Sequence, residues 1–145
     1  MEKVAKKTVL FLCTGNSCRS QIAEGFARQM GAGVIEAYSA GIRPVRINPR
    51  AIQVMSEIGI DLSTHSSKSV EAIDQDRIDI VVTLCGDAAE NCPTFPRPIR
   101  RIHWPLADPA KARGSEEEAM AVFRATREAI RIHVAQLIDE LSETY

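Results

Sequence analysis

No run of apolar residues approaches the roughly 18 that a membrane span requires, so no membrane role is expected. Excess charge is missing too. Eighteen Lys and Arg against nineteen Asp and Glu leave −1 at pH 7, which supplies no global field for nucleic acid or an anionic membrane surface. Repeats, low-complexity tracts and linker-like stretches are absent, and no apolar signal segment precedes the first strand pattern. The expected compartment is therefore cytoplasmic, where stable disulfides are rare and grouped cysteines tend to serve catalysis or metals. Cysteine itself is scarce: Cys13, Cys18, Cys85 and Cys92. Their spacings lack the close pairs of structural zinc sites, so no metal and no cofactor is expected. With no obvious excess of apolar surface, the default is a monomer.

What is present is an ordinary globular composition, 45% hydrophobic and 26% charged over 145 residues, enough for one domain spanning 1–145. Apolar runs alternate with helix-patterned stretches, the signature of an α/β fold with a parallel sheet. Strands are predicted at Thr8–Leu12, Val34–Ala40, Ile78–Leu84 and Ile99–Trp104. A first helix carries Ile22, Ala23, Phe26 and Met30 at helical spacing. A second opens at Asn48-Pro49, buries Ala51, Ile52, Met55 and Ile58, and stops at Gly59. A long last helix starts from a Ser115/Glu118 capping box, with Met120, Phe123, Ile130, Val134, Leu137 and Leu141 as its apolar stripe. The architecture expected is a doubly wound domain, four parallel strands flanked by helices on both faces. Its ligand groups should come from loops at the carboxyl ends of the strands. That rule brings three of the four cysteines and Asp108 near one point.

The most specific segment is Cys13-Thr14-Gly15-Asn16-Ser17-Cys18-Arg19-Ser20, between the first strand and the first helix. A helix N-terminus leaves backbone N–H groups without partners and carries the positive end of the dipole. The same field favours thiolate at Cys13, the nucleophilic form. Arg19 can return a planar fork of donors to two oxygens of a tetrahedral anion. Gly15 and Asn16 tolerate left-handed backbone angles that let successive N–H groups converge. Thr14, Ser17, Cys18 and Ser20 complete the candidate cradle, and Ser20 could hydrogen-bond the Cys13 sulfur.

Asp108-Pro109 falls in the loop after the fourth strand. A carboxyl held over a bound oxyanion can protonate a leaving oxygen, which is worth about 10² to 10⁴ in rate. Six residues lie between Cys85 and Cys92. A straight helix between them would separate the Cα atoms by about 10 Å at 1.5 Å per residue, whereas a disulfide needs less than about 7 Å. A bond between them would therefore require that segment to bend or unwind. Arg43, Arg46, Arg50, Arg97, Arg100 and Arg101 are candidates for a positive rim, although a solvated face explains them equally well.

With these residues in view, the chain resembles the thioredoxin-coupled arsenate reductases, which share the low-molecular-weight tyrosine phosphatase fold. The resemblance runs through Cys13–Gln21, Tyr38-Ser39-Ala40-Gly41, Asn48-Pro49, Val81–Cys85, Asn91-Cys92-Pro93, His103-Trp104 and Asp108-Pro109. It implies Cys13 as nucleophile, Cys85 and Cys92 as shuttling thiols, Arg19 and the loop amides as cradle, and Asp108 as acid. It also implies arsenate as substrate and thioredoxin as electron donor. Some similar proteins hold potassium behind the cradle through oxygens matching Asn16, Glu24 and Ser39. Lys68 stands here where those proteins place an aspartate; its ammonium can pair with Glu24 in place of the cation or simply point to solvent, and no potassium-specific response is expected. His65 matches a family histidine near the loop, although a polar surface histidine is an equal reading. Cys18 is expected to be mostly passive.

The nearest rival is a low-molecular-weight phosphatase, since the cradle and acid are the same parts. Against it, Ala110-Lys111 follow Asp108-Pro109 where those phosphatases carry aromatic residues, and hydrolysis has no use for Cys85 and Cys92. A zinc protein fits the cysteine spacing poorly. A catalytically silent anion- or protein-binding module would have no need of nucleophile, arginine and acid together.

Overall fold

In β1 (Lys7–Cys13) every residue from Thr8 onward is buried. Successive side chains of a strand point to opposite faces, so both faces of the sheet are covered here. The computed structural model describes residues 6–86, 92, 94–96 and 98–142. The other strands are β2 (Ile35–Gly41), β3 (Ile80–Thr83) and β4 (Arg100–His103), all parallel, in the order β2-β1-β3-β4. β3 is buried throughout, as its continuous apolar sequence requires. β2 and β4 are the two edge strands, and in β4 Arg100, Arg101 and His103 are exposed.

The α-helices of the described residues are α1 (Arg19–Met30), α2 (Pro49–Ser56) and α3 (Glu116–Ser142), and they pack on one another as well as on the sheet. In α2, Asn48 accepts the Arg50 N–H at 2.8 Å and Pro49 fills the first helical position. Its end is a Schellman turn: Gly59 adopts φ 82°, its N–H reaches Ser56 C=O, and Ile60 N–H reaches Met55 C=O. α3 opens on the expected capping box, with Ser115 Oγ accepting from Glu118 N–H and Glu118 Oε1 from Ser115 N–H, each at 3.1 Å. All six residues of its expected stripe are buried.

Two expected apolar positions differ: Met30, the last residue of α1, and Ile58, past the end of α2, are exposed, 39% and 38%. The buried face of α2 is Ala51, Val54 and Met55, and Ile52 is only half-buried.

The strand registers set the site. Cys13 pairs with Gly41, Leu12 with Thr83, and Thr83 with His103, so the chain leaves the carboxyl ends of all four strands at one level. β1 connects outward to β2, whereas β3 and β4 lie on its other side, so the loop after β1 opens where the winding reverses.

Candidate active site

A cleft of about 830 Å³ opens at that level, walled by Cys13, Thr14, Gly15, Ser17, Cys18, Arg19, Arg43, Val45, Cys85, Gly86, Asp108, Ala110 and Lys111. The loop from Cys13 to Cys18 is anchored by its carbonyls. Those of Cys13, Thr14, Gly15 and Ser17 accept from the N–H groups of Ile42, Arg43, Val45 and Asn48. The Asn16 carbonyl takes Gln21 Nε2 and Ser67 Oγ, and that of Cys18 takes the Ile22 N–H. A trans peptide unit points its N–H opposite to its C=O, so a loop held outward by its carbonyls presents amides inward.

Asn16, at φ 50°, takes the left-handed turn, while Gly15 does not. This corrects the reason assigned to Gly15. A Cβ there would sit 3.0 Å from Val45 Cγ2, so the need is for room, not for a special backbone angle. The sharper steric demand is at Gly41, read from sequence only as a strand end. A Cβ on Gly41 would lie 2.8 Å from both Asn16 N and Thr14 O, so only glycine lets β2 end against the loop.

Cys13 Sγ lies 2.9 Å from Ser20 Oγ, and both groups are buried. Asn16 Nδ2 donates to the same Ser20 Oγ at 2.9 Å, which leaves the serine proton for the sulfur. Cys18 is different. Burial pushes its thiol up to about 12 despite the hydrogen bond to Ser17, so at neutral pH it stays protonated beside the cleft. Arg19 is 8% exposed and donates from Nη1 to the carbonyls of Leu84 (3.3 Å) and Leu106 (2.7 Å). Its Nε is buried without a partner, a donor that a bound anion would satisfy. Asp108 caps a 3₁₀ turn at Pro109–Lys111, with Oδ1 accepting the Ala110 N–H at 3.0 Å. Its Oδ2 stands 3.9 Å from Arg19 Nη2, within the cleft wall.

Cys85 is also in that wall, its Sγ 3.1 Å from Thr14 Oγ1. Cys92 is not. It is half-buried and accepts a hydrogen bond from Arg101 Nη1 at 2.9 Å. The intervening 87–91, on which the expected bend or unwinding falls, lie outside the described residues. Of the six arginines weighed as a rim, only Arg43 lines the cleft. Arg50 pairs with Glu116 and Arg100 with Glu140, Arg97 lies outside the described residues, and Lys111 joins the wall instead.

Behind the loop runs a buried polar chain that sequence reading resolved only in part. Asn16 Nδ2 donates to Ser39 Oγ (2.9 Å), Ser39 donates to Glu24 Oε1 (2.5 Å), and Arg28 Nε meets Glu24 Oε2 (2.7 Å). The pairing of Lys68 with Glu24 is not made. Lys68 Nζ donates to Ser66 C=O, and its backbone N–H occupies Asn16 Oδ1. Burial draws the Lys68 ammonium down and Glu24 draws it back up. These oxygens do not fit a cation: they are committed to one another, Asn16 turns its amide nitrogen toward Ser39, and the Arg28 guanidinium supplies the positive charge. Gln21, fully buried, ties the chain to the loop by donating to the carbonyls of Asn16 and Ser66. Its Oε1 faces His65 Nδ1 at 3.1 Å, and burial lowers the His65 pKa while Glu24 opposes. An i,i+4 Glu24/Arg28 pair on α1 was the sequence signal for this charge.

Known proteins place this geometry. The family model for low molecular weight phosphotyrosine protein phosphatase matches residues 8–145. An arsenate reductase of Bacillus subtilis (strain 168) is 48% identical over 124 residues, covering 86% of this chain and 89% of that protein. A solved arsenate reductase in its oxidized state superposes with a TM-score of 0.79 at 37% identity, over 93% of this chain and 98% of the other. A thioredoxin-dependent arsenate reductase of Corynebacterium glutamicum gives 0.74 at 26% identity, over 97% of this chain and 64% of that one. No helix of the described residues is long and apolar enough to cross a membrane. On sequence and fold alike, the chain belongs to the low molecular weight phosphotyrosine protein phosphatase family, among its arsenate reductases.

Proposed function

We propose that this protein reduces arsenate to arsenite by a three-thiol relay recycled by thioredoxin. The observation that carries this reading is a second thiol, Cys85, in the wall of the same cleft as Cys13, Arg19 and Asp108. Hydrolysis of a phosphate ester needs one thiol; a two-electron reduction needs two.

The amides of Thr14 to Cys18 and the Arg19 fork bind the oxyanion, and Arg19 Nε gains the partner it lacks. The Cys13 thiolate, held by Ser20, attacks arsenic, and Asp108 protonates the departing oxygen so that it leaves as water. Cys85 then attacks Cys13 Sγ. The sulfur–arsenic bond breaks, its electron pair stays on arsenic, arsenite leaves, and a Cys13–Cys85 disulfide remains. Cys92 attacks Cys85, which releases the Cys13 thiolate and moves the disulfide to Cys85–Cys92. Reduced thioredoxin removes it by exchange through a mixed disulfide. Cys18, held as a thiol by burial, takes no part. Phosphate binds the same cradle but is not reduced by thiols, so slow hydrolysis of aryl phosphates is the second reading of this site.

The test is NADPH consumption with thioredoxin and thioredoxin reductase, with and without arsenate, beside a Cys92→Ser variant. Many arsenate-dependent turnovers in the wild type, falling to about one in the variant, are expected from a relay in which Cys92 regenerates Cys13. No arsenate dependence, with phosphate released from an aryl phosphate by both proteins, would make this a phosphatase with incidental distal cysteines.

A further inference from the structure

Cys92 is the one cysteine outside the cleft wall, and what holds it is specific. Arg101 projects from the edge strand β4, donates from Nη1 to Cys92 Sγ at 2.9 Å, and lays its guanidinium carbon 5.6 Å from the ring centre of Phe95. Phe95 is itself buried, 6% exposed, and belongs to the core cluster against which Cys92 packs. A buried ring fixes the plane of a guanidinium that would otherwise swing freely, and the fixed fork then presents N–H toward the sulfur.

We propose that Arg101 is the positioning residue of Cys92, holding its sulfur in place and maintaining the thiolate fraction that lets Cys92 resolve the Cys13–Cys85 disulfide. This rests on the relay reading above. The step is a disulfide exchange with no net redox change. The Cys92 proton is lost to solvent, its sulfur lone pair attacks Cys85 Sγ, the Cys13–Cys85 bond breaks, and the pair leaves on Cys13 as thiolate. Burial works against this step by pushing the Cys92 thiol up, and Arg101, the charged group among the described residues that bears on it, works in the opposite direction. The balance matters because intrinsic nucleophilicity falls with thiol pKa by a slope of only about 0.4 to 0.5, less than the gain in thiolate. While the pKa lies above the ambient pH, a neighbouring cation therefore accelerates attack.

The experiment compares wild type, Arg101→Gln and Arg101→Lys in two readouts. Fully reduced protein without arsenate is alkylated with iodoacetamide across pH, and the Cys92 peptide is followed by mass spectrometry. Protein cycling with arsenate, thioredoxin, thioredoxin reductase and NADPH is acid-quenched, and the Cys13–Cys85 disulfide is quantified. Arg101→Gln is expected to shift the Cys92 profile about one pH unit upward, making alkylation about tenfold slower at neutral pH. It should also accumulate Cys13–Cys85 disulfide, and Arg101→Lys should recover most of both. An unchanged alkylation profile overturns the proposal, and so does a shifted profile with no accumulation. If Cys92→Ser also accumulates no Cys13–Cys85 disulfide under arsenate, the relay itself has failed, which separates that failure from the failure of Arg101.

Discussion

Cys13 lies in a loop whose carbonyls are engaged from Cys13 through Cys18, backed by Ser20, Asn16, Ser39 and Glu24 in a buried chain that Arg28 closes from the surface. Cys92 makes its polar contact with one arginine on an edge strand. The difference suits the proposed relay, in which the two thiols have different tasks. The first must meet an anion in a fixed geometry at every turnover, and rigidity lowers the cost of orienting donors at the moment of reaction. In that relay the other attacks Cys85 within the same chain, and a deep network around it would oppose that step. Cys85 is buried in the cleft wall against Thr14.

The contrast can be broken at several points, and the largest effect is expected at Arg19. Arg19→Lys keeps the charge but loses the fork, and kcat/KM for arsenate should fall by about 10² to 10³ while Cys92 alkylation stays unchanged. A drop of less than tenfold would mean that charge alone suffices. Gly41→Ala comes next. Its Cβ would stand 2.8 Å from two backbone atoms of the loop. It is expected to destabilise the fold by about 1 to 3 kcal/mol in urea unfolding and to depress turnover through a displaced cradle. Retention of both would show that the loop yields more easily than its hydrogen bonds suggest. Ser20→Ala should slow alkylation of Cys13 at neutral pH by about tenfold, the worth of one hydrogen bond to a charged sulfur, without touching Cys92. The smallest expected effect is no effect. Exchanging potassium for sodium at fixed ionic strength should leave thermal stability and rate alike, because Arg28 already answers the Glu24 charge. A potassium-specific gain in melting temperature would refute that assignment.

Much of this arrangement was legible in the sequence, where the physics is local. Thr8–Leu12, the loop after it, the Asn48-Pro49 cap and the Ser115/Glu118 box all depend on neighbours within a few residues, and each lies where its pattern places it. The parallel pairing of the four strands followed from alternation, and the meeting of Cys13, Cys85 and Asp108 at one cleft followed from the carboxyl-end rule. What escaped depends on distant contacts. Gly41 is required because another part of the backbone touches it, and no window around it contains that fact. Lys68 and Arg28 were both within reach of Glu24 as far as sequence shows. Only the packing decides that the guanidinium from the same helix takes the carboxylate. Gly15 was assigned a backbone role that Asn16 fulfils, since both types tolerate the same angles.

Trp104, the only tryptophan in the chain, closes β4 with its N–H on the Thr83 carbonyl. Its indole stacks on His133 of α3 at 4.9 Å and tilts against Phe11 of β1 at 5.9 Å. The protein thus carries its single tryptophan at the seam between its longest helix and its sheet, four positions ahead of Asp108. Its emission should report the docking of α3 without labelling. Chemical denaturation followed at this wavelength can be set beside thiol accessibility measured at Cys92, and any lag between the two signals would expose an edge that opens before the body of the molecule does.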